Sequence, residues 1–221
     1  MQVIRLCEER GARWDRWGFV VYKSPEITDG TRWTSCKQRF LRIIEESVDP
    51  YRGYPGLEDC VRKMEFQWVE DATEGDGSVE ALSRVYSSGA APPGLNHSLC
   101  LYITPASMDS ILNSPFPSSA KRRYRTSIPF AVAVSKDSTH RNYGPVDGDI
   151  VRAAWRGYFN VAVETLLDSL FPIAADGSMS PFEIGRHISG DDIWCDYTRW
   201  GVHKASVGYW DARMGRVGTG I

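Results

Sequence analysis

The residues best suited to chemistry lie close together near the C-terminus, between Asp191 and Lys204. This segment combines carboxylates, a tyrosine, an arginine and a histidine with two indole rings. Such a mixture can build a pocket whose aromatic walls exclude water while a few polar groups orient a substrate or move protons. We predict two groups of site residues: catalytic Asp192, Tyr197 and His203, and substrate-binding Trp194, Arg199 and Trp200. A salt-bridged surface held together by aromatic contacts remains the alternative interpretation.

No motif for a metal ion or a cofactor accompanies these residues. The histidines are far apart in the sequence, and neither HxH nor HExxH occurs. The phosphate-binding patterns GxxxxGK[ST] and strand-following GxGxxG are missing, as is the GxSxG elbow of serine hydrolases. Cys100 falls on a predicted strand, where a small buried apolar role is expected. The sequence therefore predicts an enzyme without cofactor or metal, if it is an enzyme at all.

Charge and cysteine content limit the partners and the compartment. The net charge is -2, which gives no basic field to attract nucleic acid or anionic membranes. The one basic run, residues 121–125, is expected to be a solvated loop. Five scattered cysteines follow a start that lacks a signal-peptide pattern, so we expect reduced thiols and a cytoplasmic protein without membrane contact.

The strands and helices that would position these residues can be predicted from hydrophobic periodicity and capping signals. Strands are predicted at 17–22, 64–70, 98–103 and 128–134, where β-branched and aromatic residues cluster or alternate. A helix is predicted from an N-cap within Thr28-Asp29-Gly30 to about Asp49-Pro50, with apolar residues at three- and four-residue spacing. A short helix over 78–86 and another from Thr104 to about Leu112 complete the series.

This order of elements predicts an α+β fold of the ferredoxin-like kind: split β-α-β units that form an antiparallel sheet with helices on one face. The main rival is a doubly wound α/β sheet. We predict one domain over 1–221, with a core at 13–135 and a C-terminal extension at 149–214 packed on it. Residues 149–171 fit either one helix or a split pattern, with a strand at 158–163 between two helices; Gly157 favours the split pattern. The aromatic residues of the extension, Trp194 and Trp200 among them, are expected to be mostly buried.

The opening strand carries a family resemblance. Trp17 to Tyr22 reads WGF-x-x-Y. Three later stretches, at 100–103, 129–132 and 155–167, add a strand followed by a helix, a second apolar strand, and an aromatic-rich strand followed by a Leu-rich helix. In these features the chain resembles a set of uncharacterised cytosolic proteins of filamentous fungi. It is also compatible in size with the fungal arginine-containing cyclodipeptide synthases, which join arginine to a second amino acid from aminoacyl-tRNAs. The resemblance implies lineage and fold, and it carries no site residue over to this chain.

Two functional hypotheses from different classes follow. The first is a cofactor-independent enzyme of fungal specialised metabolism, acting on a small-molecule substrate. Its concrete form is a cyclodipeptide synthase with aminoacyl-tRNA as a partner, which a synthetase could deliver, and a cyclase or isomerase is the other form. The second is a non-catalytic binding module that docks a protein partner through an exposed aromatic surface.

Overall fold

The computed structural model describes residues 15–70, 77–88, 95–96, 98–119, 121, 124–136, 155–186, 188–196 and 202–203, with the backbone alone at 87–88 and 202–203. The strands are β1 (Trp17–Lys23), β2 (Met64–Val69), β3 (Leu99–Ile103), β4 (Phe130–Ser135), β5 (Tyr158–Ala162), β6 (Ile193–Trp194) and β7 (Val202–His203). The helices are α1 (Gly30–Val48), α2 (Leu57–Arg62), α3 (Val79–Ser88), α4 (Pro105–Asn113), α5 (Phe171–Ala175) and α6 (Pro181–Gly185). Short 3₁₀ turns occur at Asp49–Tyr51, Pro117–Ser119 and Val163–Thr165, and a π-helical stretch at Leu166–Leu170.

The long helix α1 begins where its cap was predicted. The carboxylate of Asp29 accepts hydrogen bonds from the backbone N–H groups of Thr31 and Arg32, both at 2.9 Å. One face of the helix is buried against the sheet through Trp33, Cys36, Phe40, Ile43, Ile44 and Val48. The helix ends at Asp49-Pro50, so the prediction from spacing and capping is confirmed at both ends.

Removing this cap tests the local account of α1. We expect Asp29→Ala to lower the free energy of unfolding by about 1 kcal/mol, because two N–H groups lose their acceptor. Asp29→Ser is the matched control and should retain most of the stability, since its hydroxyl accepts the same hydrogen bonds. Urea unfolding followed by circular dichroism measures both. Equal losses for the two variants would contradict a capping role.

The sheet has seven strands in the order β2-β1-β3-β4-β5-β6-β7. β1 is parallel to both β2 and β3, while β3-β4, β4-β5 and β6-β7 are antiparallel and β5-β6 is parallel. Trp17, Phe19 and Val21 of β1 join the main core beneath α1 and α4. Val20 faces the other side, in a second core formed with Leu82 of α3. Helices therefore cover both faces of the sheet.

The α+β class is confirmed, and two details of the expected arrangement are corrected. The sheet is mixed rather than antiparallel, because β1 and β2 pair directly instead of leaving room for a strand between them. Helices are not confined to one face, because α3 carries its own apolar stripe and packs behind the sheet. The first three strands instead have the doubly wound order, with connecting helices on opposite faces.

The C-terminal part of the chain continues the same sheet. β5 pairs along its length with β4, which confirms the strand of the split pattern at 158–163. β6 then adds beside β5, and Trp194 lies buried in the main core, as expected for this residue. Among the helices that the structure describes, none is both long and apolar enough to cross a membrane.

Candidate functional site

A cavity of about 390 Å³ with several charged lining residues lies at the C-terminal end of α1. We call it the Arg125 cavity. Its lining residues are Glu46, Ser47, Asp49, Pro50, Tyr51, Pro117, Ser118, Arg125, Glu164 and Asp168. Four carboxylates and one guanidinium thus face a space of the size that small-molecule ligands occupy.

Helix α1 holds one wall of this cavity in place. Arg39 donates hydrogen bonds to the carbonyl oxygens of Ile111 and Ser114, each at 2.6 Å. Its guanidinium also lies 3.9 Å from the centroid of the Phe116 ring. One turn further along α1, the guanidinium carbon of Arg42 lies 4.2 Å from the centroid of the same ring. Residues 114–118 are therefore fixed by cationic side chains on a single helix face.

Glu46 completes this wall and lines the cavity itself. Its carboxylate accepts hydrogen bonds from the Ser118 hydroxyl at 2.6 Å, the Ser118 backbone N–H at 3.2 Å and Arg42 Nε at 3.1 Å. Burial by itself raises the pKa of Glu46, but the hydrogen bonds from Ser118 and Arg42 outweigh it and hold the pKa below its ordinary value. Glu46 is therefore ionised at neutral pH and acts as a fixed negative charge.

The floor of the cavity is a buried ion pair. One terminal nitrogen of Arg125 donates to both carboxylate oxygens of Glu164, and the other donates to the Pro115 carbonyl at 3.2 Å. Only 2% of the Arg125 side chain and 4% of the Glu164 side chain are exposed. Arg125 Nε is also buried and has no hydrogen-bond partner among the described residues. A fully desolvated charge pair with one unsatisfied donor is a costly arrangement, which is typical of functional sites.

The solvated loop predicted for residues 121–125 is wrong at Arg125. Lys121 and Tyr124 are exposed, but the Arg125 guanidinium turns inward. The physical reason is Glu164, a carboxylate 39 residues further along the chain. No local pattern in the basic run signals a partner at that distance, so sequence reasoning missed both residues of the pair.

Glu164 and Asp168 come from one irregular helical segment. A 3₁₀ turn follows β5 directly, anchored by a hydrogen bond from the Thr165 hydroxyl to the Ala162 carbonyl at 2.8 Å. The π-helical stretch Leu166–Leu170 continues into α5. Because residues four apart lie on the same side of such a segment, both carboxylates reach the cavity. π-helical turns of this kind occur frequently at functional sites.

The residues predicted from the C-terminal segment are only partly described. Tyr197, Arg199 and Trp200 lie outside the described residues. The Ser189 hydroxyl donates to the carboxylate of Asp192 at 3.4 Å. His203, of which the backbone is described, pairs in register with Ile193 and is therefore brought next to Asp192 and Trp194 at the sheet edge. Neither Asp192 nor Trp194 belongs to the lining of the Arg125 cavity.

The sequence neighbours of Asp192 and Trp194 line a second cavity. Asp191 and Ile193 border a space of about 430 Å³ between α4 and β6, which we call the Asp191 cavity. Its other lining residues are Ala106, Ser110, Asn113, Ser114, Thr126, Ser127, Ile128 and Phe130. Successive residues of an extended chain point to opposite faces. Trp194 therefore packs into the main core, while Ile193 faces the other way.

Thiol and metal chemistry receive no support in the described part of the chain. Cys36 and Cys100 are buried in the two cores; burial raises the pKa of Cys36 to about 12 and that of Cys100 well above its ordinary value. Neither is poised as a nucleophile. Within the described residues, no three His, Cys, Asp or Glu side chains are placed to hold a metal ion.

The chain is thus an α+β protein with a cavity lined by four carboxylates and one guanidinium. Comparisons with known proteins add no relative: no protein-family model, no curated protein and no solved structure matches the chain.

Proposed function

We propose that this chain is a cofactor-independent enzyme of small-molecule biosynthesis whose substrate binds in the Arg125 cavity. The observation that carries the proposal is the desolvated Arg125–Glu164 pair at the floor of a substrate-sized polar cavity. Buried, fixed charges of this kind provide the preorganised electrostatics on which acid–base catalysis depends.

The lining charges favour a cationic substrate group. Glu46, Asp49, Glu164 and Asp168 outnumber the single guanidinium of Arg125 among the lining residues. Arg42, Arg52 and Arg125 pair with Glu46, Asp49 and Glu164, so the excess negative charge of the lining is that of Asp168. An amine or guanidinium group entering the cavity would meet carboxylate acceptors, whereas a carboxylate would be repelled.

The concrete form of this proposal is an arginine-containing cyclodipeptide synthase of fungal specialised metabolism, with which the chain is compatible in size. An acidic cavity is complementary to the guanidinium of an arginyl substrate. Because the net charge is -2, a partner synthetase would have to deliver the aminoacyl-tRNA. A cyclase or isomerase that uses the same carboxylates for proton transfer is the other enzymatic form.

A binding module is less well supported by the exposed surface. Such a module needs a contiguous apolar patch of several hundred Å² (on the order of known interfaces). In the described part of the chain, the exposed large hydrophobic residues are Leu41, Tyr54 and Tyr124. Leu41 lies in α1 and Tyr54 beyond its end, whereas Tyr124 belongs to the loop before β4. These positions are far apart in the sequence, and the binding module stays the second candidate function.

Expression in a heterologous host with metabolite profiling tests the proposal. We expect a product that depends on the chain, and an arginine-containing diketopiperazine in the concrete form. Asp168→Asn should lower its yield at least about tenfold, because the substitution keeps the shape of the side chain and removes a charge used for binding or proton transfer. Asp15→Asn, at an exposed position outside both cavities, is the matched control and should leave the yield unchanged.

The same assay distinguishes the Arg125 cavity from the site predicted in the C-terminal segment. A second set of variants changes the C-terminal residues: Asp192→Ala, Tyr197→Phe and His203→Ala. Loss of product in this set, with Asp168→Asn fully active, would show that the Arg125 cavity is the wrong site. A host in which no metabolite depends on the chain would contradict the enzyme proposal and favour the binding module.

A further inference from the structure

The Asp191 cavity combines an apolar floor with a polar rim. Ile128 and Ile193 form a small buried cluster at the base of the sheet, against which Phe130 packs. This cluster is separate from the two larger cores, and its members Ile128, Phe130 and Ile193 line the cavity. An apolar floor with a few polar groups around it is the usual composition of a small-molecule pocket.

One hydroxyl of the lining has a structural role. Ser110 donates to the Ile128 carbonyl at 3.2 Å and accepts from the Phe130 backbone N–H at 3.0 Å. These bonds join α4 to the start of β4 and fix the width of the cavity. The groove between these elements is therefore built into the fold.

The remaining polar groups are available for a ligand. Asn113, Thr126 and Ser127 are exposed, and their side chains have no hydrogen-bond partner among the described residues. The carboxylate of Asp191 is likewise without a cationic partner in the described part of the chain. The lining includes no lysine, arginine or histidine, so its single formal charge is the negative charge of Asp191.

We propose that the Asp191 cavity is a second binding site, for a small amine with an apolar body. The ammonium group would pair with Asp191 and the hydroxyl and amide groups of the rim, and the apolar body would cover Ile128, Phe130 and Ile193. A cavity of about 430 Å³ accommodates a ligand with one aromatic ring and a short amine chain. This site goes beyond the proposed function, because it involves another cavity and does not require catalysis.

The test uses three probes of the same shape and different charge: 2-phenylethylamine, 2-phenylethanol and phenylacetate. Ligand-observed NMR titration of the full chain measures their affinities. We expect the amine to bind more tightly than the alcohol, and phenylacetate to bind least, because Asp191 attracts the first and repels the last. Equal binding of the amine and phenylacetate, or no binding of any probe, would overturn the proposal.

Variants locate the binding. Asp191→Asn should weaken binding of the amine about two- to five-fold, as expected for an exposed ion pair, and leave the alcohol unchanged. Ala106→Phe, at an exposed position of α4, should fill the cavity and abolish binding of both. Thermal unfolding and circular dichroism confirm that each variant is folded, and Asp15→Asn again serves as the control.

A last comparison distinguishes the two cavities. Asp168→Asn should leave binding of 2-phenylethylamine unchanged, because Asp168 lines the Arg125 cavity. If this variant weakens amine binding and Asp191→Asn does not, the amine occupies the Arg125 cavity and the second site is refuted. The outcome is independent of whether any product forms in the metabolite assay.

Discussion

Replacing Glu164 with leucine is expected to lower the free energy of unfolding by about 3–5 kcal/mol, because Arg125 would remain buried without its carboxylate. Both side chains are almost completely enclosed, so water cannot replace the lost partner. Arg125→Met should lower the free energy of unfolding by a similar amount, because Glu164 would remain buried without its guanidinium partner. Urea unfolding monitored by tryptophan fluorescence measures each loss.

The double variant Arg125→Met/Glu164→Leu is the control for this prediction. Removing both charges eliminates the desolvation cost, so the double variant should recover most of the stability lost by either single variant. A double variant that is stable but makes no product would show that the pair is retained for function. Additive losses in the double variant would contradict the account of a coupled buried pair.

Gly18→Ala is expected to prevent folding, with a loss of more than about 4 kcal/mol. A methyl group at this position would lie 1.9 Å from the backbone oxygen of Glu65, and the φ angle of Gly18 is +141°. Side chains are excluded by both the backbone conformation and the neighbouring strand. Gly18 pairs with Glu65 within the β1-β2 ladder, and a shift of either strand would disturb the pairs that follow it. Soluble yield and circular dichroism measure the outcome.

Gly30→Ala is the matched control for this substitution. Gly30 is the first residue of α1, and a Cβ there would have no atom within 4 Å. The alanine variant should fold normally and unfold within about 1 kcal/mol of the parent, on the stabilising side. A folded Gly18→Ala protein of unchanged stability would show that the register of β1 and β2 is incorrect.

The features that could be predicted from the sequence are those fixed by nearby residues. The Asp29 cap and the Thr104 cap, whose hydroxyl accepts from the Ser107 N–H, depend on side chains within three residues of each other. The alternation that identified β5 is also local. The strand order, by contrast, depends on residues far apart in the sequence. β1 lies between β2 and β3 because side chains on both faces of the sheet pack into separate cores.

The candidate site was largely beyond prediction for the same reason. Arg125 acquires its role from Glu164, a residue that lies beyond β5 and is brought close by the pairing of β4 with β5. In the C-terminal segment, the sequence does not indicate which residues of 191–194 point towards a cavity and which point into the core. Asp191 and Ile193 line a cavity, whereas the predicted Trp194 enters the core. A shift of one residue along a strand exchanges the two faces, and composition alone cannot fix it.

The central position of β1 has a consequence for synthesis in the cell. Val21 pairs with Leu101, so a ribosome adding about 5–20 residues per second completes this partner roughly 4–16 s after Val21. During that interval β1 can pair only with β2, and its edge towards β3 stays open on the nascent chain. The order of the strands therefore leaves one hydrogen-bonding edge of β1 unpaired until β3 has been synthesised.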